Sequence, residues 1–409
     1  MRKLGAYAIY LGMSGTTSLC FSMVFTIEMV YQIKAVGLNP LQLMIVGTVL
    51  QCVHLLCQTP MGILADMYSR RLAAVTGLFL IGAGYWVEGA QATFTAVLAG
   101  TAIGAFGYTI VSGADAAWIA DELGADRVGQ AYLRAAQVGA LAGLPGIAIS
   151  AVLGSTRLNL PILLAGSVFI GLSVVLALLM PEEHFSPLPR GDRSPWQQIG
   201  HTTRASLRII RLRPALLTIL AIAVFSSAFS AGFDRLWSFH LLAHFTFPTT
   251  GGLNVVKWFA VIEAGINVMS LCGIEVAKRL VKADNRRAVV WASFVADAAT
   301  LACVVGFALA GQFIVALAAF WLTVVARSPR GVLQTIWMNL DLEPGVRATI
   351  LSLQAQVGAL AGIAGGPILG AVATNYGTRA ALVLAAALLA PALLLYRKWL
   401  PRTQAADQL

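Results

Sequence analysis

Twelve long apolar runs cut this chain into segments, and no other feature restricts its fold as much. They lie at about residues 5–33, 41–64, 72–93, 96–119, 131–153 and 159–180, then 215–243, 252–275, 288–309, 312–338, 347–373 and 378–396. About 20 apolar residues in a helix cross the hydrocarbon core of a bilayer. Inside that core only helices and closed barrels keep every backbone N–H and C=O paired. The expected fold class is therefore an all-α integral membrane protein with twelve transmembrane helices. Charged residues make up 11% of the chain, against about 25% in a soluble domain, and the mean hydropathy is +0.79. Shared among twelve spans, 409 residues leave about 34 per span and connection, which excludes a large soluble domain.

The runs fall into two sets of six. This predicts an N-terminal six-helix bundle over 1–180, a linker over 181–214, and a C-terminal six-helix bundle over 215–409 with a short polar tail. The linker carries the basic stretch Arg204, Arg208, Arg211 and Arg213, and its last part is expected to be an amphipathic helix on the membrane surface. The basic start of the chain runs into an apolar stretch too long for a signal peptide, so the first helix is expected to be retained. The five cysteines, Cys20, Cys52, Cys57, Cys272 and Cys303, have no disulfide or zinc spacing and read as packing residues.

A net charge of +10 would point to nucleic acid in a soluble protein. Here the positions of the charges argue otherwise. With the N-terminus inside, 21 of the 28 Lys and Arg residues fall in cytoplasmic segments, among them Arg70, Arg71, Lys278, Arg279, Arg286, Arg287, Arg397 and Lys398. Basic residues are retained on the cytoplasmic side, so both termini are expected inside a cell membrane, with the bilayer and not nucleic acid as the partner.

The two sets of six are related. Gln137–Gly143, Q-V-G-A-L-A-G, recurs letter for letter as Gln356–Gly362, and the same offset pairs Trp118 with Trp337. Such parallel repeats are a transporter arrangement.

The loop between the second and third runs reads Gly62-Ile63-Leu64-Ala65-Asp66-Met67-Tyr68-Ser69-Arg70-Arg71. It resembles the loop 2-3 signature of the major facilitator superfamily, with Gly62, Asp66, Arg70 and Arg71 in register. Met67 and Ser69 depart from the usual basic residue and Gly, which puts one arm of the loop's charge network in doubt. Gly62 is expected to allow close helix contact and Asp66 to cap a facing helix. A further run, Gly139-x-x-x-Gly143-Leu144-Pro145-Gly146, resembles the antiporter motif of drug-efflux members. It suits close helix packing with a bend at Pro145 equally well. Ser112–Glu122 and Gly232–Trp237 are similar to stretches in a bacterial branch of tetracycline or macrolide efflux proteins, which implies multidrug efflux and antibiotic resistance.

Charges within the spans are costly, about 2.5–3.5 kcal/mol each even on a lenient scale, and so require a partner or a task. Those on the first, fourth, seventh and tenth runs are Glu28, Asp115, Asp234, Arg235, Arg327 and Arg330. The resemblance implies that these helices line a central cavity, which makes the six the candidate proton-coupling group. Glu28 and Asp234 would take and release protons as burial and an approaching arginine alternate in their effect on the carboxylate. A fixed ion-pair network is the competing account. Phe25, Tyr31, Phe233 and Trp237 are the candidate substrate aromatics. Trp118, Trp237 and Trp337 fit a membrane interface equally well. Glu263 and Asn267 share a helix face, and they and Asp297 are expected to pair with each other or to hydrogen-bond across helices. Glu88 reads as a solvated position with no role.

The five histidines form no metal-like pair, and neither a nucleophile–base arrangement nor a phosphate loop occurs. The expectation is a non-enzymatic, cofactor-free monomer that moves a small molecule by alternating access, coupled to protons. Export of drugs or amphipathic compounds is the leading reading. A carrier of one metabolite, such as an organic anion, sugar or siderophore-like compound, and a transporter-like receptor or scaffold are the alternatives.

Overall fold

The computed structural model describes residues 5–185, 214–282, 284–341 and 344–399. The proposed surface helix of the linker, the terminal basic residues Arg2, Lys3 and Arg402, and Leu342 lie outside the described residues. Twelve helices are long and apolar enough to cross a membrane: Ala6–Ala35, Pro40–Tyr68, Arg70–Ala90, Phe94–Leu123, Asp126–Gly154, Leu160–Leu179, Leu216–His244, Val255–Leu280, Arg286–Leu309, Phe313–Leu340, Leu353–Tyr376 and Thr378–Arg397. They are called the first to twelfth spans below.

Local chemistry sets where these helices start and break. Ser69 stops the second span from merging with the third: its extended backbone ends one helix, and its Oγ accepts from Leu72 N at 2.9 Å to cap the next. Asn285 caps the ninth span in the same way, accepting from Ala288 N. The fourth span breaks at Ser112–Gly113, where Gly113 adopts φ +89°, a conformation that costs residues with a Cβ. The tenth breaks at Ser328–Pro329, between helices Phe313–Arg327 and Arg330–Asp341, because Pro329 has no N–H for the helical ladder. Helix Ala125–Gly154, by contrast, runs through Pro145 without interruption.

The described chain forms two compact units. One comprises Met1–Leu38, Val49–Trp196 and Pro248–Ala264; the other comprises Asn39–Thr48, Gln197–Phe247 and Gly265–Leu409. The first is centred on buried Met23, Leu78, Trp118, Phe169 and Leu176, the second on Ile219, Val289, Leu333, Trp337 and Tyr396. Lipid is as apolar as these side chains, so close packing of small residues has to hold the helices together. The repeated heptapeptide does this in both units. A Cβ on Gly139 would stand 2.7 Å from Ser18 Oγ of the first span, and one on Gly358 would stand 2.7 Å from Ser227 Oγ of the seventh. Gly143 faces Ser22 in the same way, and Gly146 packs on the Leu19 carbonyl.

Candidate functional site

In the second unit the break of the tenth span leaves Arg327 as the last residue of one helix and Arg330 as the first of the next. The two arginines therefore take different partners. Arg327 Nη1 donates to Asp234 Oδ1 of the seventh span at 2.5 Å, with side-chain exposures of 25% and 50%. Arg330 Nε donates to Asp297 Oδ1 of the ninth span at 2.7 Å, with exposures of 11% and 1%. The Tyr396 hydroxyl, itself fully buried, donates to Asp297 Oδ2 at 3.1 Å. One pair is accessible; the other is an interior triad.

Aromatic rings steady both cations. Phe229 and Phe233 stack with centroids 5.5 Å apart. The Arg327 guanidinium carbon lies 5.4 Å from the Phe233 ring and 6.0 Å from Phe229, and that of Arg330 lies 5.7 Å from Phe229. Beside the accessible pair a cleft of about 230 Å³ opens, lined by Phe233, Asp234, Trp237, Ser270, Phe320, Arg327 and Ser328. Trp237 packs against Phe320 at 4.6 Å. The cleft thus offers one carboxylate and one guanidinium beside an aromatic wall.

In the first unit, the first span ends in a π-helical turn, Tyr31–Ala35. Gln32 in that turn donates from Nε2 to Glu28 Oε1 at 3.1 Å and to Glu88 Oε1 at 2.9 Å. The Tyr31 hydroxyl donates to the Glu88 carbonyl at 2.8 Å. Glu88 is 2% exposed, which corrects its reading as a solvated position without a role. Because its partner is a neutral amide on a π turn, neither charge nor helical spacing revealed the contact. Asp115 follows the glycine break of the fourth span and accepts from Ala116 N at 2.7 Å, as an acid at a helix N-terminus does. Among the described residues it makes no ion pair.

The six candidate coupling residues therefore separate. Asp234 and Arg327 meet at the cleft, and Arg330 turns into the triad. Arg235, next along the helix from Asp234, lies against Gly47, where a Cβ would collide with its guanidinium. Glu28 sits with Gln32 and Asp115 at its own helix start. Asp297 hydrogen-bonds across helices to Arg330 and Tyr396, one of the two arrangements expected for it. Of the candidate aromatics, Tyr31 is 1% exposed and packed, Phe233 and Trp237 line the cleft, and Phe25 is exposed and stacked on Phe21 at 5.6 Å. Trp118 is buried, its Nε1 donating to the Pro181 carbonyl at 2.7 Å, and Trp337 is also buried; neither takes the interface role. The rings of His240 and His244 lie tilted with centroids 4.6 Å apart, and both approach the Thr378 hydroxyl.

The loop motif works within the first unit. Arg70 bonds Asp66 at 3.1 Å, the Ala117 carbonyl at 2.9 Å and the Asp121 carboxylate. Asp66 therefore pairs along its own chain instead of capping a facing helix. A Cβ on Gly62 would meet nothing within 4 Å, so that residue makes no close contact. Ser69, one of the two departures, acquires a role: besides capping the third span, it donates to Glu182 Oε2 at 2.7 Å. The other Glu182 oxygen accepts from Arg71 N at 3.0 Å, so Glu182 is held at the start of the third span.

This architecture has known counterparts. The family profile described as Major Facilitator Superfamily matches residues 9–366. The chain belongs to the major facilitator superfamily, whose members are secondary transporters of small molecules and not enzymes. It is a multi-pass membrane protein. It is 22% identical over 364 residues to an uncharacterized MFS-type transporter, YxaM, of Bacillus subtilis (strain 168), covering 87% of this chain and 86% of that protein. Among solved structures it resembles a bacterial homolog of the human lysosomal transporter Spinster (TM-score 0.73, 14% identity, 96% of this chain and 95% of that one). It also resembles the nucleoside transporter NupG (TM-score 0.72, 13% identity, 97% and 99%). A third likeness is to the human organic anion transporter MFSD10 (TM-score 0.61, 17% identity, 96% and 98%). At these identities the likeness shows the fold.

Proposed function

We propose that this protein is a proton-coupled exporter of drugs or other amphipathic small molecules, working by alternating access as a monomer in the cell membrane with both termini cytoplasmic. The observation that carries this reading is the Asp234–Arg327 pair, its carboxylate half exposed, beside an aromatic cleft. A charge inside a membrane span is costly unless paired, and a pair open to a cleft can exchange its partner for a proton or a ligand. Asp234 releases Arg327 on taking a proton, and substrate binding and proton transfer then compete for the same groups. The distribution of 21 of 28 basic residues supports the sidedness.

Reconstituted vesicles with an imposed proton gradient test this. The wild type should accumulate a cationic dye against the gradient, and Asp234→Asn should lose at least nine-tenths of the initial rate with unchanged yield and monodispersity. Undiminished proton-driven transport by Asp234→Asn removes Asp234 from the coupling role.

A second reading, a carrier of one metabolite, is favoured by the size of the cleft. About 230 Å³ is below the roughly 300–1,000 Å³ typical of pockets for drug-sized ligands. A competition panel of cationic dyes, macrolides, tetracyclines and organic anions separates the two: inhibition by small anions alone rejects the drug reading.

A further inference from the structure

We infer that the cleft of the second unit recognises a small aromatic zwitterion, with the cationic group of the ligand on Asp234, its anionic group on Arg327, and its ring against Trp237 and Phe320. The inference rests on the reading of this cleft as the substrate site and deepens it by naming the ligand class.

Charge balance comes first. Asp234 and Arg327 form a neutral couple whose other neighbours in the cleft are uncharged. A ligand carrying a single charge would meet one attracting and one repelling group there. A zwitterion adds one charge of each sign and keeps the total at zero. Both receiving groups retain capacity. The pair uses one carboxylate oxygen of Asp234, whose side chain is 50% exposed. It takes only Nη1 of Arg327, out of the five N–H donors a guanidinium carries. The faces of Arg327 lie near Phe233 and Phe229, so the edge of the guanidinium, which matches a carboxylate in two-point contact, is what remains for a ligand.

Size and shape come next. About 230 Å³ holds about eight water-sized groups at about 30 Å³ each, enough for one ring with a short polar arm. Half-buried Trp237 is backed by Phe320 at 4.6 Å, and Phe320 in turn by Phe233 at 6.1 Å, a supported aromatic wall suited to offset stacking. Ser270 and Ser328 supply hydroxyls at the rim.

Calorimetric titration of the full chain in lipid nanodiscs with three matched probes tests the inference: L-phenylalanine, phenethylamine and 3-phenylpropionate. The wild type should bind L-phenylalanine at least tenfold more tightly than either singly charged probe. Asp234→Asn should weaken L-phenylalanine at least tenfold while binding 3-phenylpropionate no more weakly than the wild type does. Equal affinity for the three probes, preference for the amine or the acid, no binding of L-phenylalanine, or wild-type affinity in Asp234→Asn overturns it. The selectivity is read on the wild type, so a poorly folded variant does not blunt the test. Proton-driven dye transport by a wild type that ignores L-phenylalanine overturns this inference and leaves the transport reading standing. Selective binding without proton-driven flux does the reverse.

Discussion

Arg327 and Arg330 sit three residues apart, yet removing their partners should have very different consequences. Replacing Asp297 by Ala strands the Arg330 guanidinium, whose side chain is only 11% exposed, and takes the acceptor from the Tyr396 hydroxyl. Removing one member of a buried pair costs about 3–5 kcal/mol, because the other charge is left uncompensated. For a cooperative unit of about 150–250 residues, 1 kcal/mol lowers the melting temperature by about 2–4 °C. Asp297→Ala should therefore melt roughly 6–20 °C below the wild type. Asp234→Ala breaks a pair whose carboxylate is half exposed. Exposed pairs contribute about 0–1 kcal/mol, so the shift should stay under about 4 °C even as transport is lost. The assay is tryptophan fluorescence during heating of the purified full chain in nanodiscs. The double variant Asp297→Leu with Arg330→Met should recover most of the loss, since an apolar pair removes both desolvation costs together. Equal losses for Asp234→Ala and Asp297→Ala, or a double variant as unstable as the single, would refute the division between an accessible pair and a structural triad.

Other substitutions probe the scaffold. Gly113→Ala forces a Cβ into a left-handed conformation and should cost about 1–2 kcal/mol, with reduced transport because Asp115 is positioned by that break; thermal scans and vesicle flux read the two effects. Gly139→Val and Gly358→Val crowd Ser18 and Ser227 and should each destabilise by about 1–3 kcal/mol, with Ser18→Gly and Ser227→Gly giving partial relief in thermal melts. Ser69→Ala loses both a helix cap and the bond to Glu182 and should lower stability by about 1–2 kcal/mol, measured the same way.

The repeated Gln-Val-Gly-Ala-Leu-Ala-Gly run shows how much a residue pattern carries on its own. A glycine every fourth residue in an apolar helix marks a close contact, and both copies make one, each against a serine of the first helix in its own half. The loop motif was legible for Arg70, whose spacing from Asp66 is a single helical turn. It misled for Gly62, because small size permits a contact without creating one. The intramembrane charges were legible as a set, since each is conspicuous in an apolar run, but their pairing was not. Asp297 was open to pairing with Glu263 and Asn267 or to bonding across helices, and only the structure selects Arg330 and Tyr396. Glu88 looked solvated and is held by Gln32, a residue that carries no charge to draw notice.

Hydropathy by itself determined the twelve spans, the all-helical class and the expected division into two sets of six, because lipid leaves a long apolar segment no alternative to internal hydrogen bonding. The breaks at Gly113 and Pro329 are local backbone effects too, yet the bend read from the sequence was at Pro145, through which the helix runs uninterrupted. Tertiary structure alone decided which arginine stays open to a ligand. That choice depends on the direction in which a broken helix points two residues three positions apart, and on which distant spans pack beside them. Asp234 and Asp297 reach the tenth span across 93 and 33 residues of sequence, a separation over which no periodicity carries information.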